Sequence, residues 1–302
     1  GGAPPTTSRP AALRRLLSGG GEAVVLPGVF DALSARLVEA AGFPACYLSG
    51  SGVANAQLGV PDVGLVTLTE MTEQARRVAD AVRIPVIVDA DTGYGGHLSV
   101  MRAVHLLEAG GVAGIQLEDQ AIPKRCGHFD GKHIVPREEM VARLLAAQQA
   151  RSDPDLLLIA RTDAIAVEGF RAALDRAKAY RDAGADVVFV EAPRTAEEIR
   201  AIPKELPDTP LLINIVEGGY TPELPVSELD AYGYRIVLHA NFLMRAMLHA
   251  GERALRHLHT HRETSSLHDS LVTWEARQSL VQRGPADQVE DDVRTRAGLD
   301  RT

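Results

Sequence analysis

The sequence has few cysteines, no long apolar run and no excess of positive charge, and each absence excludes a class of protein. Two cysteines among 302 residues, Cys46 and Cys126, cannot form a disulfide framework, which favours a cytoplasmic protein. Cys46 lies in an apolar run and is expected to be a small core residue. No run approaches the ~18 apolar residues of a membrane span, and we expect no signal peptide. The 32 basic and 40 acidic side chains give a net charge of −8, which argues against nucleic acid as the main ligand because phosphate binding needs a basic field.

The remaining composition is that of a globular protein, with 45% hydrophobic and 24% charged residues. A chain of 302 residues can hold two domains or one large α/β barrel. Residues 1–10 are rich in glycine, proline and threonine and predict a disordered tail. We expect a catalytic domain over residues 11–255, a helical segment over 256–283 and a charged tail over 284–302.

Eight short aliphatic runs recur along the chain, and helix-period sequence follows each of them. The predicted strands are Ala23–Leu26, Ala45–Ser49, Pro85–Asp89, Gly114–Glu118, Leu156–Arg161, Val187–Glu191, Leu211–Asn214 and Ile236–Leu238. Parallel strands that are covered on both faces are apolar throughout, as these runs are. Eight strand–helix units predict a (β/α)8 barrel, with a doubly wound sheet as the alternative.

Polar residues are concentrated at the carboxyl ends of six of these runs. They are Ser49, Asp89, Glu118, Arg161, Glu191 and Asn214. Barrel enzymes place their chemistry on this rim. One polar strand end is usually a cap or a solvated edge, but six on one rim predict an active site.

Two carboxylates, Asp89 and Asp91, stand two residues apart where the third predicted strand ends. Residues at this spacing on a strand share a face, so both carboxylates can approach one hard cation. Glu118 and Asp119 at the end of the next strand could supply further oxygens. This all-oxygen set predicts Mg²⁺ or Mn²⁺, whereas Asp91 alone could simply cap the following helix.

The residues after Glu118 include a cysteine among basic groups. Cys126 is flanked by Lys124 and Arg125 on one side and by Gly127 and His128 on the other. Neighbouring cations lower the pKa of a thiol, and the glycine predicts a mobile loop. Such a cysteine could donate or accept a proton once the loop closes, and the alternative is a surface loop with an incidental cysteine.

Several segments occur in an order that is characteristic of one family. They are Tyr47–Gly52, Leu58–Asp62, Asp89–Gly95, Leu117–Gln120, Lys124–His128, Ile159–Ala164 and Asn214–Gly219. Together they resemble the isocitrate lyase / phosphoenolpyruvate mutase superfamily, from roughly Val24 to Met247. The resemblance implies a (β/α)8 barrel whose last helix swaps between subunits, usually in a homotetramer that is a dimer of dimers. It also implies Mg²⁺-dependent making or breaking of C–C or P–C bonds in small α-oxo or α-hydroxy carboxylates.

The resemblance carries roles to particular residues. The implied metal site consists of Asp89, Asp91 and Glu118. The implied catalytic residues are Tyr47, Cys126, His128, Arg161 and Glu191. The implied substrate-binding residues are Ser49, Gly50, Ser51, Asp62, Lys124, Gly127, Asn214, His239 and Asn241.

Within these sets, the cysteine is expected to protonate a carbanion-like product. Arg161 and His128 are expected to neutralise oxyanion charge, and the amides of residues 49–51 to form an anion nest for a substrate carboxylate. Glu191 and Asn214 are expected to hold the far carboxylate or to orient Arg161.

The sequence departs from the family after the eighth predicted strand. Many members read Tyr-Pro there, whereas this chain has His239 and Asn241 around Ala240. These two side chains could remodel the distal end of the substrate pocket. They could equally be a strand-end histidine and a helix N-cap asparagine.

We predict a Mg²⁺-dependent carbon–carbon lyase that cleaves a small 2-hydroxy di- or tricarboxylate of the methylisocitrate or alkylmalate type. A carboxyphosphonoenolpyruvate phosphonomutase and an oxaloacetate-type decarboxylase or hydrolase share the metal site and are the enzymatic alternatives. A catalytically silent barrel that only binds ligands is the third reading, although a binding protein does not need the thiol.

Overall fold

The structure is a computed structural model, and it describes residues 8–18, 20–124 and 131–299. Its strands are β1 (Val24–Val29), β2 (Cys46–Leu48), β3 (Val86–Asp89), β4 (Gly114–Glu118), β5 (Leu157–Thr162), β6 (Val187–Val190), β7 (Leu211–Asn214) and β8 (Ile236–His239). All neighbouring strands pair in parallel, and β8 pairs with β1, which closes the barrel. The predicted (β/α)8 barrel is confirmed, and the strands differ from their predicted bounds by a few residues.

The helices alternate with the strands, as the sequence periodicity predicts. They are α1 (Arg9–Ser18), α2 (Ala32–Ala40), α3 (Gly50–Val53), α4 (Leu68–Ala81), α5 (His97–Ala109), α6 (Arg137–Ala150), α7 (Ile165–Glu168), α8 (Phe170–Asp182), α9 (Ala196–Glu205), α10 (Val226–Tyr232), α11 (Phe242–His261), α12 (Trp274–Leu280) and α13 (Arg283–Arg296). A π-helical turn (Ala54–Leu58) follows α3, and a 3₁₀ turn (Ser265–Ser270) precedes α12.

The first and last strands approach each other closely at the rim where the polar residues lie. A Cβ atom built on Gly28 would stand 2.0 Å from the carbonyl oxygen of Ala240. The absence of a side chain at Gly28 therefore permits the ends of β1 and β8 to meet.

The inside of the barrel is filled by one apolar cluster to which every strand except β4 contributes, with Leu26, Ile159 and Phe189 among its members. Helix α1 adds Leu13 and Leu17 to this cluster at the amino-terminal end of the barrel. Because this end is packed with side chains, the opposite rim is the one open to ligands.

The remaining core lies between the strands and the surrounding helices. Cys46 belongs to this outer layer and is completely buried. Burial, and secondarily the carboxylate of Glu39, raises the pKa of the Cys46 thiol to about 12. Cys46 is therefore the inert core residue that its apolar run predicts.

The chain divides into two compact units, the first ending at Met244 and the second beginning at Arg245. The division falls within α11, ahead of the expected boundary at residue 255. No helix in the described part of the chain is long and apolar enough to cross a membrane.

Two of the predicted terminal segments have structure. Helix α1 begins at Arg9, inside the tail expected over residues 1–10. Helix α13 occupies most of the segment expected as a charged tail over 284–302. Arg283 and Asp287 lie one helical turn apart in α13 and form an ion pair at 2.6 Å, which shows that charged sequence of this kind can be helical.

Candidate active site

The six polar strand ends that the sequence indicates are all buried and gathered at the carboxyl rim of the barrel. They are Ser49, Asp89, Glu118, Arg161, Glu191 and Asn214. Side chains alternate between the two faces of a strand, and the inward-facing side chains of these strands change from apolar to polar at the rim. In β5, for example, Ile159 packs inside the barrel and Arg161 follows it. The structure brings the six residues to one rim, where the sequence predicts an active site.

The two aspartates after β3 face one point. The amide of Asp91 donates to Oδ1 of Asp89 at 3.2 Å, and Gln116 Nε2 reaches the same oxygen at 3.3 Å. A Cβ atom on Gly50 would lie 3.0 Å from Asp89 Oδ2 and 3.3 Å from Asp91 Oδ1. Asp91 has a φ of +49°, a conformation that non-glycine residues adopt at some cost. A backbone turn therefore aims both carboxylates toward the space beside Gly50.

Glu118 adds a third carboxylate that is short of hydrogen-bond donors. Its Oε2 lies 3.4 Å from Arg161 Nη1. Its Oε1 is buried, and no donor among the described residues reaches it. Burial, opposed by Arg161, raises the pKa of Glu118 well above its usual range. A buried carboxylate oxygen without a donor is a position where a cation would be stabilised.

Among the described residues of the site, buried carboxylates outnumber buried cations. Its carboxylates are those of Asp62, Asp89, Asp91, Glu118, Asp163 and Glu191, and its cations are those of Lys124, Lys132 and Arg161. Burial, opposed by Lys124 and reinforced by Asp89 and Asp62, raises the pKa of Asp91 to about 7. The donor set therefore fits a hard divalent cation. Within the described residues no three acidic, histidine or cysteine side chains enclose a metal by themselves, so water or substrate oxygens would complete the coordination.

Lys124 is a cation inside this acidic cluster. Its Nζ lies 2.5 Å from Asp62 Oδ1 and 2.7 Å from Asp91 Oδ1, and its side chain is 6% exposed. The π-helical turn after α3 leads through Gly59, whose φ is +65°, to the loop that carries Asp62. Although burial opposes ionisation, the surrounding carboxylates raise the pKa of Lys124 well above its usual range. Lys124 is therefore charged and ties the loop after β2 to the end of β3.

Arg161 is held by carboxylates on several sides. Its Nε and Nη2 donate to the two oxygens of Asp163 at 3.0 and 2.9 Å, and its Nε lies 3.5 Å from Glu191 Oε2. Lys132 Nζ donates to Asp163 Oδ1 at 2.9 Å, so one buried aspartate serves two cations. Although burial opposes ionisation, Arg161 and Lys132 lower the pKa of Asp163 to about 2. The guanidinium is thereby fixed in one plane.

The loop after β2 brings small residues to the acidic cluster. Ser49 Oγ accepts a hydrogen bond from Gly52 N at 3.1 Å and caps the short helix α3. Ser51 lines the same cavity as Ser49, and Gly50 stands against the aspartate pair. The expected substrate-carboxylate position at these residues is thus adjacent to the expected metal position.

A cavity of about 40 Å³ lies at the centre of the rim. Its lining includes Tyr47 and Phe189 on the barrel axis and Asn214 and Asn241 at the β7–β8 side. Burial, with the Asp89 carboxylate, raises the pKa of Tyr47 well above its usual range, so its hydroxyl is neutral. Asn214 Oδ1 accepts a hydrogen bond from Ala240 N at 3.4 Å.

His239 lies away from the catalytic cavity. Leu238 and Ala240 line that cavity, whereas His239 lines an apolar hollow on the outer side of the barrel and its Nδ1 is 3.2 Å from Glu217 Oε1. The side-chain alternation of β8 turns it outward. The structure therefore does not bring His239 to the other predicted substrate-binding residues.

Three residues of the predicted sets, Cys126, Gly127 and His128, lie outside the described residues.

Asp163 and Lys132 carry no predicted role, whereas Asp119 is predicted to supply a further oxygen to the metal and lies elsewhere. Asp119 is buried outside the barrel and accepts hydrogen bonds from Thr162 Oγ1 at 2.7 Å, Asp163 N at 2.9 Å and Tyr180 OH at 2.8 Å. Asp163 stands two residues after Arg161, and residues at this spacing share a face. That spacing is the signal that could have identified Asp163, whereas the contact with Lys132 depends on the fold.

A closed parallel barrel with buried carboxylates, an arginine and a lysine at its carboxyl rim is the arrangement typical of (β/α)8 enzymes. A family model described as phosphoenolpyruvate phosphomutase matches residues 13–259. The chain therefore belongs to the phosphoenolpyruvate mutase family, within the isocitrate lyase / phosphoenolpyruvate mutase superfamily, and the resemblance in the sequence is confirmed.

Individual relatives cover nearly the whole chain. It is 42% identical to a 2,3-dimethylmalate lyase from Eubacterium barkeri over 289 residues, which cover 94% of this chain and 98% of the relative. It is 47% identical over 236 residues to a probable 2-methylisocitrate lyase from Corynebacterium glutamicum, covering 78% of this chain and 77% of that one. The solved structure of an oxaloacetate acetylhydrolase with 3,3-difluorooxalacetate matches with a TM-score of 0.89 at 36% identity, covering 98% and 99% of the two chains.

Proposed function

We propose that the chain cleaves a carbon–carbon bond in a small 2-hydroxy dicarboxylate of the alkylmalate type, in a divalent-metal-dependent reaction that yields an α-oxo acid and a second carboxylate. The relatives named as lyases confirm the predicted lyase class. The observation that carries the metal dependence is the group of buried carboxylates at the rim, in which Oε1 of Glu118 has no donor among the described residues.

The metal would be held by Asp89 and Asp91, with Glu118 reaching it directly or through water. These hard oxygen donors favour Mg²⁺ or Mn²⁺. When bound, the ion would supply a Lewis acid that stabilises negative charge on the substrate's 2-oxygen. Two features support this assignment. The positive φ of Asp91 directs its carboxylate toward that of Asp89, and the absence of a side chain at Gly50 leaves space beside both carboxylates.

The chain's own residues would bind and orient the substrate. Arg161, fixed in its plane by Asp163, offers a positive charge to a substrate oxygen, and Glu191 restricts its movement. The amides around Ser49 and Ser51 would hold one carboxylate beside the metal. Asn214 and Asn241 would contact the other end of the substrate, since both line the cavity on the β7–β8 side.

Bond cleavage turns the 2-hydroxyl group into the oxo group, and one of the rim carboxylates would accept the hydroxyl proton. The cleavage leaves an electron pair on the carbon next to the second carboxylate, and this carbon must take up a proton. We assign proton donation to Cys126 and charge neutralisation to His128, as the family resemblance implies. The neutral hydroxyl of Tyr47 could donate a hydrogen bond from the floor of the cavity, since its raised pKa keeps the proton in place.

A hydrolase acting on oxaloacetate is the second candidate. It is favoured by the match to the oxaloacetate acetylhydrolase structure, which covers 98% of this chain. A phosphonomutase shares the metal site and is the third candidate. A silent binding barrel would show no metal-dependent turnover of any of these substrates.

We also propose a homotetramer built as a dimer of dimers. Two exposed apolar surfaces support assembly. A hollow of about 400 Å³ beside β1 is lined by Leu37, Phe43 and Phe242, and the face of α11 after Met244 exposes leucines. We propose that the swapped helix of a partner covers the hollow and that residues 256–283 lie at the subunit interface. A monomer by light scattering across micromolar concentrations would contradict this assembly.

The scarcity of cysteine supports a cytoplasmic location.

The function is tested by removing the metal with EDTA and offering 2,3-dimethylmalate, 2-methylisocitrate, oxaloacetate and phosphonopyruvate, with products identified by mass. We expect no turnover without metal, recovery with Mg²⁺ or Mn²⁺, and an α-oxo acid as one product. Asp91→Ala should abolish turnover while circular dichroism shows a folded barrel. Full activity after EDTA treatment would contradict the metal assignment, and oxalate with acetate from oxaloacetate would favour the hydrolase.

A further inference from the structure

Lys124 is the cation that lies on the carboxylate pair of the site. Its ammonium contacts Asp91 Oδ1 at 2.7 Å, and the same oxygen faces the space beside Gly50 that Asp89 Oδ2 also faces. The second partner, Asp62, contacts the ammonium at 2.5 Å through its Oδ1. Lys124 therefore balances charge at the point where a divalent ion would bind.

The distances make joint occupation unfavourable. A divalent ion bound to Asp91 Oδ1 lies about 2.1 Å from that oxygen. With Lys124 Nζ at 2.7 Å from the same atom, the two cations would be separated by at most about 4.8 Å. In a buried site a double and a single positive charge repel strongly at that separation. Asp62 keeps an attractive position for the ammonium, so displacement from Asp91 does not require leaving the site.

The cavities are consistent with such a displacement. Lys124 lines both the central cavity of about 40 Å³ and an outer pocket of about 380 Å³ that is bordered by Thr67, Ser99 and Arg102. The smaller cavity has room for little more than water. Movement of the Lys124 side chain would join the two spaces, and Gly64 leaves room beside its stem, because a Cβ there would be 3.6 Å from Lys124 Cγ.

We propose that Lys124 is the internal counter-ion of the metal-free site, and that a binding divalent ion displaces its ammonium from Asp91 and frees it to pair with the incoming carboxylate substrate. This rests on the proposed metal dependence. Lys124 thereby weakens metal binding in the absence of substrate.

The test measures Mn²⁺ binding to the metal-stripped protein from the electron paramagnetic resonance signal of free Mn²⁺, without substrate. Lys124→Met should bind Mn²⁺ at least tenfold more tightly than the wild type, because the competing charge is gone. Lys124→Arg keeps the charge and should remain within about threefold of the wild type. Arg102→Met removes an exposed positive charge from the outer pocket and serves as the matched control, with unchanged affinity expected.

An affinity of Lys124→Met equal to or weaker than that of the wild type would overturn the proposal while leaving the metal site intact. Absence of Mn²⁺ binding in all variants would overturn the proposed metal dependence together with it. If Lys124→Met does not fold without metal, the double variant Lys124→Met/Asp62→Asn replaces it. That variant removes both buried charges and should still bind Mn²⁺ at least threefold more tightly than the wild type.

Discussion

Replacing Asp163 by asparagine tests how the arginine of the site is held. Asp163 accepts hydrogen bonds from Arg161 and from the almost fully buried Lys132. Asp163→Asn keeps the shape but removes the charge that both cations share. In the folded wild-type protein the pKa of Asp163 falls from 3.8 to about 2, which corresponds to about 2–3 kcal/mol in favour of the ionised form. Breaking a buried pair from one side costs ~3–5 kcal/mol.

We therefore expect Asp163→Asn to lower the free energy of unfolding by about 3 kcal/mol and the melting temperature by roughly 6–12 °C. Urea unfolding followed by far-ultraviolet circular dichroism at pH 7 measures the change. Asp155→Asn is the matched control, because Asp155 is half-exposed, its ion pair with Arg14 spans 3.5 Å, and its loss should cost less than about 1 kcal/mol.

The same experiment separates a missing charge from a disturbed fold. Lys132→Met combined with Asp163→Asn removes the buried ammonium that has lost the charge of Asp163 in the single variant, so the double variant should recover part of the lost stability. A single variant within about 1 kcal/mol of the wild type, or a double variant no more stable than the single one, would refute the reasoning.

Three further outcomes are expected. Cys126→Ser should retain metal and ligand binding but lose ~10²–10⁴-fold in turnover, measured at saturating Mg²⁺, because a hydroxyl gives up its proton poorly; near wild-type turnover would exclude the thiol as the acid. Gly28→Ala should destabilise the fold by about 1–3 kcal/mol in urea unfolding, since its methyl group would meet the Ala240 carbonyl, whereas Gly21→Ala adds a methyl group in open space and should not. The folded pKa of Asp163 is lowered, so its contribution to stability is complete above about pH 4 and is lost as the pH falls toward 2; unfolding midpoints between pH 6 and 3 should converge for wild type and Asp163→Asn.

The barrel and its catalytic rim could be predicted because they depend on local pattern. Aliphatic runs such as Val187–Val190 are apolar on both faces, and a polar residue directly after such a run must lie at the rim. The outward orientation of His239 could also be predicted from the alternation of side chains along a strand. Leu238 and Ala240, on either side of it, face the cavity. The resemblance to the family marks residue 239 as a departure in sequence, but it does not indicate the face of the strand on which His239 lies.

Other features depend on contacts between distant segments. Lys132 and Asp163 meet only because β5 lies beside the strand that precedes Lys132, and the sequence between them carries no periodic signal for this pair. The position of Lys124 between Asp62 and Asp91 likewise requires loops after two different strands. The helix over Arg283–Arg296 lies mostly within the segment predicted as a charged tail, because charge alone does not reveal the ion pairs at helical spacing that stabilise such a segment.

The buried state of Cys46 has a practical consequence for chemical labelling. The chain has two cysteines, and the thiol of Cys46 is both inaccessible and protonated at any pH at which the protein is handled. A maleimide or iodoacetamide reagent applied to the native protein should therefore attach one probe per subunit, at Cys126. Because the label blocks the thiol proposed as the proton donor, a fluorophore or spin label placed there would report on ligand binding and not on turnover. Mass spectrometry of the labelled protein gives an immediate check on its folded state.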